Sequence, residues 1–166
     1  MKLKKLYSSR EVAAITGLSA RQLQWWDRRG ILAPSIPSHR TERGGFTERR
    51  YTPIELLELM VLADLRRRGF SMPRLRRLLN VLRTRFGVRL YEAIEGAGPV
   101  TLYIDGDKIY ARTASGDLFN VLDRPDQPLL VVGGSGGLRE LTVRESAGRR
   151  RGRAVVPAKK RGRRRD

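Results

Sequence analysis

Residues 8–28 read SSREVAAITGLSARQLQWWDR, and this stretch decides the fold. Ser8 stands three residues before Glu11, and Ser19 three before Gln22. Each pair is a capping box, in which a hydroxyl and a carboxylate or amide satisfy backbone N–H groups that a first helical turn leaves free. The spacing predicts one helix from about Ser9 to Thr16 and a second opening at Ser19, with only Gly17 and Leu18 between them, which is the spacing of a helix-turn-helix. Ala13 is small enough for a crossing helix to approach, Gly17 can take the positive φ of a tight turn, and Leu23 returns an apolar contact. An ordinary helical hairpin would use the same three residues; the basic face beside them favours the first reading. Val12, Ile15, Leu18, Leu23 and Trp26 form the expected core. At 3.6 residues per turn, Arg21, Gln24, Trp25 and Arg28 are left on outward or flanking faces. Of the adjacent tryptophans, Trp26 is the core candidate and Trp25 keeps an indole N–H for a phosphate; the alternative is that both pack inside.

Outward from this stretch, Gly30 reads as a helix end. Ile31–Leu32 and Arg49–Tyr51 then read as two short strands joined by a polar loop, Pro34 to Glu48, that holds His39, Arg40, Arg43, Gly44 and Gly45. Such a wing can lay arginines along a phosphate backbone or into a minor groove. His39 reads as an exposed polar residue. Thr52 with Glu55 is a third capping box, strengthened by Pro53 at the first helical position. A third helix is predicted to about Arg68, with Leu56, Leu59, Met60 and Ala63 on one face and Leu57, Val61 and Leu65 broadening it. Ser71 caps a fourth, whose stripe is Leu75, Leu78, Leu79, Leu82 and Phe86. Opposite that stripe, Arg74, Arg76, Arg77, Arg83 and Arg85 read as a solvated face.

The chain has 166 residues, enough for one domain or two small ones, with 35 Lys and Arg against 17 Asp and Glu and a formal net charge of +18. It has no Cys and a single His, so a disulfide scaffold, a thiolate metal site and a Cys nucleophile are excluded, and a histidine metal centre or triad is not expected. Without a paired-carboxylate or metal signature, enzyme chemistry on nucleic acid has no support; no cofactor is expected. The longest apolar run, Leu59 to Ala63, cannot span a bilayer, and no signal-peptide segment is seen, so a cytoplasmic protein with no membrane partner is expected. The charge points to a polyanion, nucleic acid ahead of a membrane surface. It is uneven: +11 over residues 1–98, −2 over 99–143 and +9 over 144–166. The last segment is too charged and too poor in apolar residues to fold, and reads as a disordered tail, either a non-specific phosphate arm or a solubilising extension.

Several of these segments occur together in one known order: a Tyr-Ser start, the hairpin, the run Arg21-Gln22-Leu23-Gln24-Trp25-Trp26-Asp27, Gly30-Ile31-Leu32, a wing ending Arg49-Arg50-Tyr51-Thr52, and the turn Gly69-Phe70-Ser71. Over about residues 6–83 the chain resembles the MerR family of winged-helix transcriptional regulators. The resemblance implies sequence-specific binding of double-stranded DNA by a homodimer, with the second helix in the major groove and wings on the flanking backbone. Taken with the outward face of the second helix and the basic loop, it gives an expected interface of Arg21, Gln22, Gln24, Trp25, Arg28, Arg40, Arg43, Arg49, Arg50 and Tyr51. Arg21 falls in the recognition helix near bases or phosphates, Trp25 at the position of a family aromatic that approaches the backbone, and Arg49 and Tyr51 at the family's wing-closing Arg and Tyr. A guanidinium can pair bidentately with guanine or phosphate, in agreement. Gln24 departs from the common family Arg, and Trp-Trp replaces paired tyrosines, so the operator sequence is not inherited from relatives. The architectural excisionase type of DNA-binding protein, which shares the winged helix, and a partner-recruiting adaptor on DNA are the alternatives.

The long coiled-coil helix of typical members does not follow. Phe86-Gly87-Val88 interrupts, and only Arg89 to Glu95 can form a short helix before Gly96, Gly98 and Pro99. From Val100 the period becomes two. Strands are predicted at Val100–Ile104, Ile109–Arg112, Leu118–Leu122 and Leu129–Val132, with a glycine linker from Gly133 to Gly137 and a last strand at Leu138–Val143. The fold class expected is therefore α+β: a winged helix-turn-helix at 1–86, a short helix and linker at 87–98, a small antiparallel module at 99–143 and the basic tail at 144–166. The module is either an effector-binding unit or, as favoured here, a surface for dimerisation or for RNA polymerase or another protein. Asp105, Asp107 and Asp117 read as turn residues rather than calcium ligands.

Overall fold

The computed structural model describes residues 4–94, 96, 98–129 and 139–140. The three capping boxes form as spaced. Ser8, Ser19 and Thr52 accept from the backbone N–H of Glu11, Gln22 and Glu55, whose side chains reach back to the cap residues' own N–H groups. They open α1 (Ser9–Thr16), α2 (Ala20–Arg28) and α3 (Pro53–Arg67), with β1 (Tyr7–Ser8) ahead of α1 and β2 (Arg50–Tyr51) between α2 and α3. Ser71 caps α4 (Met72–Arg85). Gly17 closes α1 at φ 75°, the left-handed conformation that lets the chain turn straight into α2. The guanidinium of Arg67 donates to the Thr16 carbonyl at 2.9 Å, so the end of α1 is tied to α3.

After α4 a single turn of 3-10 helix, Leu90–Ala93, replaces the longer helix expected to Glu95. Leu90, Ala93 and Ile94 are all buried there, and such tightening suits a short segment held by its side chains. The second layer is an antiparallel sheet of β3 (Val100–Asp105), β4 (Lys108–Thr113), β5 (Leu118–Asn120), β6 (Arg124–Leu129) and β7 (Arg139–Glu140), in the order β6-β5-β4-β3-β7. Val100, Leu102 and Ile104 alternate inward along β3, and Ile109 and Ala111 along β4. The architecture is α+β, as the patterning predicts.

β3 and β4 extend only one residue beyond the predicted ends, but three other predicted strands differ more. The segment Ile31–Leu32 is not a strand, and Ile31 is buried in the core. Its expected partner, Arg50–Tyr51, pairs instead with Tyr7–Ser8, and the loop contributes only two isolated bridges, Ile36 to Arg50 and Arg40 to Phe46. Pro34 and Pro37 lack the N–H groups that a continuous ladder along that loop would need. The strand predicted to reach Leu122 ends at Asn120, because Val121 and Leu122 turn into the core. The next strand begins at Arg124 rather than Leu129 and includes Pro125 and Pro128, which are tolerated because β6 lies at a sheet edge. Of the predicted last strand, only Arg139–Glu140 is described; the glycine linker and the tail lie outside the described residues.

One apolar core joins the helical layer to the sheet, running from Tyr7 and Val12 through Leu62, Leu65 and Leu82 to Leu102 and Ile109. The arginines of α4 are not simply solvated. Arg77 donates through Nε to the Leu122 carbonyl, Arg74 to that of Asp107, and Arg85 pairs with Asp126 at 3.2 Å. Phe86 meets Phe119 edge to face, with ring centroids 5.5 Å apart. One face of α4 therefore holds the sheet in place by polar as well as apolar contacts.

Candidate nucleic-acid interface

The interface is built on α2. Leu23 and Trp26 are buried, with only 2% and 3% of their surface exposed, and this fixes the helix's rotation. Arg21, Trp25 and Arg28, at i, i+4 and i+7, then form one exposed stripe, with Trp25 at 40% exposure. The tryptophans thus divide as the periodicity predicts. The Arg29 guanidinium lies 5.1 Å from the Trp25 ring centre, adding a cation beside that stripe. Gln24 is half-buried at its edge. Gln22 is exposed, but its Oε1 accepts from Ser19 N–H at 2.8 Å, so its oxygen is engaged in the cap and its NH₂ is the group left to donate outward.

The second part is a hairpin spanning Ile36 to Arg50, on which Arg40, Arg43 and Arg50 are exposed. Its start is pinned to α3: the buried Glu55 carboxylate accepts from Ser35 N–H at 3.2 Å, from Ser35 Oγ at 2.6 Å and from Thr52 N–H at 2.7 Å. Its end is pinned to α2. Arg49 Nε donates to Asp27 Oδ2 at 2.8 Å, and both side chains are only 21% exposed. Arg49 is therefore engaged with α2 and couples hairpin to helix. His39 is exposed, with Nδ1 3.0 Å from Thr47 Oγ1.

Tyr51 is placed in the core, 1% exposed, rather than on the surface beside the arginines. The alternation along β2 explains this: Arg50 points out, so Tyr51 must point in. Its hydroxyl is buried, with Ser9 offering at most a weak contact and no well-formed hydrogen bond, and burial, the larger influence, raises its pKa above the ordinary tyrosine value of 10.0. Tyr51→Phe is accordingly expected to leave stability at neutral pH unchanged or slightly higher, since no well-formed hydrogen bond is lost. Because the folded state holds the phenol proton more tightly than the unfolded chain, Tyr51's contribution is complete below about pH 10 and falls as pH rises further, toward the folded-state value. The phenylalanine variant should lack that alkaline decline; urea titrations at neutral and alkaline pH would measure both.

Asp27, Arg29, Glu55 and Phe46 belong to this surface or its support; sequence reasoning marks Glu55 only as a capping-box partner and assigns no site role to any of the four. Asp27 and Glu55 carry a weak signal, each being an acid near the ends of a helix in a basic region; the partners that define them lie 22 and 20 residues away. A double-mutant cycle should separate roles for Arg49. With Asp27 as its partner, Arg49→Ala, Asp27→Ala and the double variant should each weaken DNA binding by about 1 kcal/mol, without adding. Additive losses, or tighter binding by Asp27→Ala, would instead give Arg49 a direct contact with DNA.

Among the described residues, no cluster of three or more His, Cys, Asp or Glu side chains is placed to hold a metal ion, and no helix is long and apolar enough to cross a membrane. A groove of about 800 Å³ runs from Arg29, beside the stripe, past Ile31, Leu79 and Val88, and is rimmed by Arg76, Arg83 and Arg89. At its wall the Arg89 guanidinium pairs with the buried Glu58 carboxylate at 2.8 Å.

Residues 7–82 match the family described as MerR HTH family regulatory protein. The chain is similar to an uncharacterized HTH-type transcriptional regulator of Mycobacterium tuberculosis, at 28% identity over 136 residues, covering 82% of this chain and 56% of that protein. A Mycobacterium bovis protein of the same description matches to the same extent. The chain thus spans little more than half the length of these curated relatives. Among solved structures, it is similar to a MerR family transcriptional regulator from Bacillus cereus at 26% identity and a TM-score of 0.36, over 48% of this chain and 53% of that one. It is also similar to HiNmlR, a MerR family regulator lacking the sensor domain and bound to promoter DNA, at 29% identity and a TM-score of 0.38, over 55% of this chain and 61% of that one.

Proposed function

We propose, from the match of residues 7–82 to the MerR HTH family, that the chain regulates transcription by binding a specific DNA site as a dimer. In this reading α2 enters the major groove, the Ile36–Arg50 hairpin acts as a wing on the flanking backbone, and the chain works by binding rather than catalysis on the chromosome in the cytoplasm. The observation that carries it is the exposed stripe Arg21, Trp25 and Arg28, held by a buried Leu23 and Trp26 and locked to a basic hairpin through Arg49 and Asp27. A guanidinium offers the bidentate donors that suit guanine or phosphate, and an α-helix fits the width of the major groove. Since α4 is followed by a single 3-10 turn, no long helix among the described residues is available to pair subunits. The sheet of β3 to β7 is the surface we assign to that role, with the basic tail adding affinity without sequence.

Selecting bound fragments from random-sequence DNA with the full chain tests this. The expected product is one palindromic site with half-sites about one helical turn apart, bound by a species that sediments as a dimer. Direct repeats would favour the architectural excisionase type, and no enrichment at all would refute sequence-specific binding.

A further inference from the structure

Phe46 is 74% exposed, whereas the other large exposed hydrophobics among the described residues reach at most 40%. Such an aromatic at a hairpin tip is not explained by folding, since it contributes nothing to the core. Its surroundings are ordered by hydrogen bonds. The Thr41 N–H donates to the Gly45 carbonyl at 2.7 Å, Thr47 N–H to His39 O at 2.9 Å, and His39 N–H to Thr47 Oγ1 at 2.9 Å. Arg40 pairs directly across from Phe46, in the same register that sets Ile36 opposite Arg50. Residues directly opposite in an antiparallel pair share a face, so Arg40 and Phe46 lie on the same face of the hairpin. The turn between them carries Thr41, Glu42 and Arg43 and then two glycines, Gly44 at φ 83° and Gly45, so the backbone immediately before Phe46 bears no side chains. Glu42 and Glu48 are the acidic residues of this hairpin, outnumbered by Arg40, Arg43, Arg49 and Arg50.

A wing that only followed phosphates would need the arginines alone. Arginine sharing a hairpin face with a protruding apolar side chain is the combination suited to the minor groove, about 6 Å wide, where cations are attracted to the groove and an apolar wedge partly unstacks a base step. We propose that Phe46 is such a wedge: it enters the minor groove beside the site read by α2, opens a base step and kinks the duplex, with Arg40 and Arg43 held against the groove walls. This rests on the DNA-binding reading above and adds to it a residue that sets DNA shape.

The test uses the full chain on its selected site, with 2-aminopurine placed at successive flanking steps and end-labelled DNA for energy transfer. The wild type should raise 2-aminopurine fluorescence at one flanking step in each half-site and shorten the end-to-end distance. Phe46→Ala should lose both signals and bind about tenfold more weakly, equivalent to about 1.4 kcal/mol. Phe46→Leu should keep most of the bend, because a branched apolar side chain can still wedge. If Phe46→Ala bends and unstacks the DNA as the wild type does, the wedge is refuted while DNA binding stands. If the wild type binds no DNA sequence, the DNA-binding reading itself fails, and the wedge with it. A change in subunit association with unaltered DNA signals would assign Phe46 to a protein contact and likewise overturn the proposal.

Discussion

Leu62→Ala is expected to lower the free energy of unfolding by about 2–5 kcal/mol, the largest effect of any single substitution considered for this chain. Leu62 lies on α3 with none of its surface exposed, in the same core as Val12, Leu65, Leu82, Leu90 and Leu102. Removing its branched end leaves a cavity that the neighbours can close only in part, because α3 is fixed at its start by the Thr52 and Glu55 box and near its end by the Arg67 contact to Thr16. Leu62→Met should cost less than about 1.5 kcal/mol, since it conserves volume. Urea unfolding measures both. The two layers share one core, so a single transition is expected for the described residues; two transitions would place helices and sheet in separately stable units.

Arg21→Ala is expected to weaken binding to the selected site by about 1–3 kcal/mol and to relax base preference at one position of each half-site, with little change on random DNA. The side chain is exposed in the first turn of α2, and no packing is lost by truncating it. Arg21→Lys should not restore the loss if the contact is bidentate, because an ammonium cannot present the guanidinium's planar pair of donors. A uniform loss across all sequences, with a shallower salt dependence, would instead make Arg21 a phosphate contact.

The helices were legible because local chemistry specifies them. Ser8, Ser19 and Thr52 each mark a helix start within three residues of their partner, and the turn at Gly17 is set by its own backbone preference. The burial of Trp26 beside an exposed Trp25 follows from periodicity. What was hidden depends on partners distant in sequence: the Ser35 bonds to Glu55, Arg49 held by Asp27, and Arg77 reaching Leu122. The wing strands were misplaced for the same reason. Tyr7–Ser8 is too short to be read as a strand alone and becomes one only by pairing with Arg50–Tyr51. For the interface, the stripe on α2 could be read from spacing, while the inward side of Tyr51 and the outward side of Phe46 depend on the strand pairing. Leu62 and the buried Glu58 escaped because α3 is covered on several faces, which blurs the amphipathic pattern.

If α2 reads a specific site from the major groove, the bound protein must shield base edges in that groove. Methylation protection of the selected DNA by the full chain measures this directly, since dimethyl sulfate reports guanine N7 in the major groove and adenine N3 in the minor groove. Guanine N7 positions are expected to be protected in two half-sites about one helical turn apart, with protection lost at one position of each half-site in Arg21→Ala. Protection confined to adenine N3, or an N7 pattern unchanged by Arg21→Ala, would contradict major-groove reading by α2.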